Sequence, residues 1–249
     1  MKDDLGHPVD VRHPARRVVS LVPSLTEAIA ATRPGTLVGA TDWCTHPADL
    51  DVTRVRGTKN PDRAAVEALR PDVVIANREE NRELDITRLR DAGVTVWVTV
   101  IETVDESFAS MRRMFVDGLG WEVPEWLVEA EQVWAEPAPA DGRRVAIPIW
   151  RDPWMVVGSR TFTGDLVARL GLVNAFGDAT DRYPHAELDD IDAAADLVLL
   201  PDEPYVFTAD DGPEAFLTAP TVLVSGRALT WYGPSLLTAR KELAADLLR

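Results

Sequence analysis

The side chains able to do chemistry in this chain gather in a few short stretches. Thr41-Asp-Trp-Cys-Thr-His-Pro47 holds Trp43, Cys44 and His46, and Thr58, Lys59 and Asn60 follow in a turn. Asn77-Arg-Glu-Glu-Asn-Arg82 offers Asn77, Glu79, Glu80 and Asn81 where an apolar run stops. Later come Trp150, Arg151 and Trp154, then Tyr183 and His185, then Trp231 and Tyr232. Indole and phenol rings grouped in this way suit a large planar ligand. Three such rings would bury ~300 Å² of it, worth ~7 kcal/mol at ~25 cal/mol per Å². Immobilising a ligand costs ~4–15 kcal/mol, so polar latches are needed as well. Lys59, Asn60, Asn77, Glu79, Glu80, Asn81 and Arg151 are the candidates. For each ring the plainer alternative is a lid over its own core, and for residues 78–82 it is a solvated charged turn.

Metal chemistry is a narrower expectation. Of the four histidines, His7 and His13 lie near the N-terminus, leaving His46 and His185, one in each half. Neutral imidazole suits transition ions, and Cys44 could add a thiolate. Cys-x-His alone lacks the spacing of a structural site, so a surface histidine and a buried thiol compete with that reading. The chain has no G-x-x-x-x-G-K-[ST] phosphate loop, no G-x-G-x-x-G after a strand, no G-x-S-x-G elbow and no H-E-x-x-H. Asp189-Asp190 and Asp210-Asp211 read as helix starts, where negative charge favours the dipole.

These stretches need elements to hold them. Short apolar runs, RVVSLV (17–22), TLVGA (36–40), TRVR (53–56), DVVIA (72–76) and VTVWVTV (94–100), alternate with helical patterns. Ser24-Leu-Thr-Glu27 reads as a capping box opening a helix to about Thr32, and Pro61 as the start of another. Residues 103–136 break the alternation. Phe108, Met111 and Phe115, then Val123, Leu127, Ala130 and Trp134, keep helical spacing, with Gly118 a left-handed cap and Pro124 a new start. Beyond a Pro/Ala/Gly linker the grammar resumes with RVAIPIW (144–150), WMVVG (154–158), DLVLL (196–200) and PTVLV (220–224). Helices are expected over residues 164–170 and 187–195, and from Pro234 nearly to Arg249.

Alternating strand and helix predicts an α/β fold: two lobes of mostly parallel sheet flanked by helices, joined by a connecting helix, with a ligand cleft between them. The expected division is residues 1–103, a helical connector over 104–137, and 138–249. Ligands of open α/β sheets bind beyond the carboxyl ends of the strands, which is where the loops named above fall. Trp97, Trp121, Trp126 and Trp134, on a strand and the connector, are expected in cores. A charge of −15, from 41 acidic against 26 basic residues, argues against a nucleic-acid partner. No apolar run approaches the ~18 residues of a membrane span. No secretory leader is readable at the N-terminus, so the chain as written is expected in the cytoplasm, or outside it if a leader was removed.

Several motifs together resemble a known family. Arg17-Val-Val-Ser-Leu-Val-Pro-Ser-Leu-Thr-Glu27, Leu37-Val-Gly39, Val55-Arg-Gly57, residues 69–76 and Leu89-Arg-Asp-Ala-Gly-Val94 are similar to the first lobe of the helical-backbone (class III) substrate-binding proteins of ABC importers. Asp152-Pro153, Gly158, Thr161-Phe162, Gly164 and Leu170-Gly171 with Asn174 resemble the second lobe's opening. The family takes up cobalamin, haem and ferric siderophores, and its cobalamin branch is the nearest. The resemblance implies ligand contacts from residues 43–46, 58–60, 77 and its neighbours, 150–154, 183 and 231. It also implies permease docking through Asp62 and Asp189, where the family usually has glutamate. The expected protein is non-enzymatic, requires no cofactor of its own, and holds cobalamin, haem or a ferric chelate as cargo. A monomer is expected, with an ABC permease as possible partner. The alternatives are a chelatase-like enzyme using His46 and His185, or a cofactor sensor or storage module.

Overall fold

Runs of β-branched residues without polar alternation become strands buried on both faces, the mark of a parallel sheet covered by helices. The computed structural model describes residues 1–248; Arg249, toward which the last helix is expected to run, lies outside them. The first half runs β1 (Val18–Ser20), α1 (Pro23–Thr32), β2 (Leu37–Ala40), β3 (Thr53–Arg54), β4 (Arg56–Gly57), β5 (Asn60–Pro61), α2 (Arg63–Ala68), β6 (Val73–Asn77), α3 (Glu83–Asp91), β7 (Val96–Thr99) and α4 (Val104–Arg113). Its main sheet has the order β3-β2-β1-β6-β7 with every pairing parallel. Val74 and Ala76 of β6 and Val96 and Val98 of β7 pack with Val66 of α2 and Ile86 and Leu89 of α3. The opposite face of the same strands buries Val73, Ile75 and Trp97.

Two helix starts differ from expectation. α1 begins at Pro23 after Val22, with no side-chain cap, so Ser24 and Glu27 lie inside the first turns and form no capping box. Pro fits there because its missing N–H is one the first turn leaves unbonded. Pro61 opens no helix; it pairs with Arg56 across the β4–β5 hairpin, and Asp62 caps α2 by accepting from the Ala65 N–H at 3.1 Å.

Phe108, Met111 and Phe115 are all buried, as their spacing requires. α4 passes into a π-helical turn, Met114–Gly118, before α5 (Glu125–Trp134), on which Leu127, Ala130 and Trp134 are buried. Gly120 (φ 66°), not Gly118, adopts the left-handed conformation. Gly118 answers a different need, since a Cβ there would lie 3.0 Å from Cδ2 of the buried Trp97 indole. By its contacts the chain forms two compact units, whose boundary falls inside α5 between Glu129 and Ala130; residues 102–104 group with the second unit and Tyr232–Pro234 with the first.

The second unit contains β8 (Arg144–Ala146), β9 (Pro148–Trp150), β10 (Met155–Val156), α6 (Phe162–Arg169), β11 (Val173–Asn174), α7 (Leu188–Ala194), β12 (Leu197–Pro201), β13 (Thr221–Val224), α8 (Gly226–Thr230) and α9 (Leu236–Asp246). β11-β8-β12-β13 form an all-parallel sheet. The run at 144–150 is therefore two strands, not one. It breaks at Ile147, and Pro148, which has no N–H to give a central ladder, enters an antiparallel pairing with β10 instead. α8 ends just before Trp231, and its cap is Ser225 accepting from the Ala228 N–H. Asp189 and Asp190 do sit in the first turn of α7, but Asp210 and Asp211 start no helix.

Candidate functional site

In the first unit the strand order reverses around β1, which lies between β2 and β6. A crevice at the carboxyl ends of such strands is the usual ligand position in open α/β sheets. Asn81 ties the loops of this edge together: its Nδ2 donates to Leu21 O (3.2 Å) and Thr58 O (3.0 Å), and its Oδ1 accepts from the Asn77 N–H (2.9 Å). Asn77 donates to Thr99 Oγ1 at 3.1 Å and accepts from the Glu79 N–H at 2.8 Å. Lys59 Nζ donates to Glu79 O. Both asparagines are buried, so they hold backbone in place and face no solvent.

Trp43 stands beside this edge with 66% of its surface exposed. Gly57 borders it: a Cβ there would lie 3.4 Å from the Trp43 indole nitrogen, an ordinary contact, and would clash only with Asn60 Oδ1 at 2.5 Å. Tyr232 is buried in the same unit, its hydroxyl bonded to Ser24; burial first, then the charges of Glu80 and Glu79, raises its pKa well above the ordinary value. Burial likewise raises the Glu80 carboxyl, opposed by Lys59 and assisted by Glu79.

Cys44 does not reach the loop surface. It is fully buried, with Thr26 Oγ1 donating to its Sγ at 3.0 Å and Thr41 Oγ1 3.1 Å away; burial raises the thiol pKa although those hydrogen bonds pull it down. A protonated, enclosed thiol serves neither as ligand contact nor as metal ligand. His46 is half-buried, its Nδ1 3.1 Å from Thr45 Oγ1, and His185 is exposed, its backbone bridged to Met155. The two belong to different units. Among the described residues no three His, Cys, Asp or Glu side chains are arranged to hold a metal ion.

The second unit presents an aromatic wall. Trp150, 46% exposed, meets Tyr205 edge to face at 5.7 Å, and Tyr205 meets Phe207 at 4.7 Å. Trp154 stacks on Phe207 (6.0 Å, 6°) and meets Phe216 edge-on at 5.5 Å. Arg151 lies 5.5 Å over the Trp154 ring and bonds Asp211 and Glu214, the latter at 2.5 Å, while the Tyr205 hydroxyl donates to Asp211 at 2.7 Å. The hydrogen bond from Arg151, helped by backbone N–H groups and the guanidinium charge, holds the Glu214 pKa below the usual carboxylate range. The loop bearing Tyr183 and His185 is fixed to the β10 region through Val156 N–H to Pro184 O (3.1 Å) and Gly158 N–H to Arg182 O (2.8 Å). Trp231 is buried under Arg227, 6.0 Å from its ring centroid, which removes it from the exposed set.

Sequence reasoning misses Ser24, Tyr205, Phe207, Asp211, Glu214 and Phe216. The alternating Tyr205 and Phe207 just after β12 are the available signal, because a strand's exit is where site loops begin. Two surface concavities, about 510 and 210 Å³, lie instead at the end of α1 and the start of β7. Loop chemistry, not concavity size, picks out the site.

No family model matches the chain. The vitamin B12-binding protein of Pectobacterium atrosepticum is 25% identical over 251 residues, covering 93% of this chain and 88% of the relative. The periplasmic vitamin B12 binding protein BtuF of Vibrio cholerae superposes with a TM-score of 0.76 at 20% identity, over 94% of this chain and 97% of that one. A periplasmic heme binding protein from Pseudomonas aeruginosa gives 0.76 at 20%, over 93% and 92%. The chain shares the two-lobed α/β fold of these binding proteins. The two acidic positions that the resemblance assigns to permease docking differ from each other. Asp62 spends one oxygen on the α2 cap and lies 3.6 Å from Arg56 Nε, whereas Asp189 is exposed in the first turn of α7.

Proposed function

We propose that this protein is a non-enzymatic receptor for a bulky metal-containing cofactor, a cobalamin or related corrinoid first and haem or a ferric chelate next, which it delivers to an ABC importer. The observation that carries this reading is the exposed Trp150 face with its backing of Tyr205, Phe207 and Trp154, in a chain 25% identical across 93% of its length to a protein named for vitamin B12 binding. Trp43 is the matching exposed ring of the first unit, with Lys59 and Asn60 beside it as polar contacts. The similar proteins are named for binding and not for catalysis, which disfavours the chelatase-like alternative. Delivery to an importer places the protein outside the cytoplasmic membrane. The similar solved structures are periplasmic proteins, and among the described residues no helix is long and apolar enough to cross a bilayer.

Tryptophan-fluorescence titration with cyanocobalamin, haemin and a ferric siderophore tests this directly. Quenching by a corrinoid below ~100 μM, tighter than about −5.5 kcal/mol, is expected. Trp150→Ala should weaken it by about tenfold or more, since an indole face is lost while the ring is too exposed for the fold to depend on it. Absence of quenching by all three ligands overturns the reading.

A further inference from the structure

Arg151 is the cation of the aromatic wall, and it is already engaged. Asp211 and Glu214 both accept from its Nη1, Asp152 lies 3.7 Å from its Nε, and the guanidinium rests over Trp154. One positive charge against three carboxylates leaves a surplus of two negative charges beside the half-exposed Trp150. Asp211 is doubly committed, because it also accepts from Tyr205, the ring against which Trp150 packs. An incoming carboxylate would have to take Arg151 from two carboxylates that already hold it. An incoming cation would meet both the surplus charge and an indole face, whose quadrupole attracts it.

We infer that Asp211 and Glu214 make this face selective for charge, so that it favours macrocyclic metal chelates of net positive charge over neutral ones, and neutral ones over those that carry carboxylates. The inference rests on the receptor reading and narrows its cargo. It turns Arg151, which sequence alone offers as a latch for the ligand, into part of the protein's own scaffold. Of the two selecting acidic residues, sequence offers Asp211 only as a helix start and does not single out Glu214.

The test holds the ring constant and changes its charge. Cobinamide in its cationic aquo form, cobinamide in its neutral dicyano form and haemin, with its two propionates, are titrated against the wild type and the double variant Asp211→Asn/Glu214→Gln. Wild type should prefer the cationic to the neutral corrinoid by about tenfold, and rising salt should shrink that preference. In the double variant the ratio should fall toward one and haemin should bind more tightly than to wild type. The salt series on wild type decides the matter even if the variant does not fold. Equal affinity for the two cobinamide forms at low salt, or haemin binding as tightly as either, overturns the inference while leaving the receptor reading intact. If no ligand binds at all, the receptor reading itself falls.

Discussion

Asn81 does more than a turn residue, because one amide serves three backbone groups. Leu21 O and Thr58 O take its two donors, and the Asn77 N–H takes its oxygen. Asn81→Ala leaves those buried groups unbonded at ~1–3 kcal/mol each when water cannot replace the partner, so a loss of about 3 kcal/mol is expected in urea unfolding. A shift below ~1 kcal/mol would mean that solvent reaches the crevice floor. Glu80, its neighbour, gives a pH dependence. Burial raises its carboxyl above the ordinary 4.5. The folded state therefore holds that proton more tightly than the unfolded state. The stability this contributes is complete below the ordinary value and is lost as pH climbs through the raised one. Glu80→Gln should then raise Tm relative to wild type at about pH 7, and the gap should close near pH 4; a gap that persists unchanged at low pH would assign the effect to something other than ionisation. Composition marks residues 77–81 as polar and close to the site. It does not separate a ligand latch from a backbone staple, because both jobs call for the same amides and carboxylates and differ only in burial.

At the level of elements, apolar runs are legible wherever a strand is buried on both faces. DVVIA and DLVLL lie at the centres of their parallel sheets as β6 and β12. The signal fails where a proline or a turn divides a run. RVAIPIW looks continuous, yet the strand ends at Ala146 and restarts at Pro148 in a different sheet. α8 escapes sequence reading because its five residues are too few to show a helical period. Gly118 shows how a correct choice of residue can carry the wrong reason. Its place after Phe115 suggests a left-handed cap, but what requires glycine is the Trp97 indole packed against it. Gly118→Ala puts a methyl 3.0 Å from an indole that is itself fully buried and hemmed in by the sheet. Overpacking of this kind costs ~1–3 kcal/mol, and near-ultraviolet circular dichroism should change with it because Trp97 must move. A larger residue at Gly120 would be strained for a separate reason, its φ of 66°.

For the whole molecule, the fold class follows from the alternation of strands and helices, and the class III resemblance from the order of many short motifs. Neither says which aromatic rings are exposed. Trp43 and Trp150 stand out, while Trp231 and Tyr232 are buried, although all four lie in polar, turn-rich sequence. The same limit applies to docking. With a charge of −15, acidic residues are common on this chain, so Asp62 and Asp189 are singled out only by the positions they match in the family. Their surroundings allow a clean experiment. Replacing Asp62 by lysine would remove both a charge and the α2 cap, and a lost cap costs ~1 kcal/mol by itself. With Asp62→Asn the side-chain amide oxygen still accepts from the Ala65 N–H, so the charge alone is removed, and Asp189→Asn does the same in the first turn of α7. If these two positions meet basic residues of a permease, the double variant should keep corrinoid affinity and Tm. It should also lower ligand-stimulated ATP hydrolysis by the importer reconstituted in liposomes, by about tenfold at low salt and less at high salt, where exposed charges are screened. Unchanged stimulation at low salt would show that the permease is met through another part of this acidic surface.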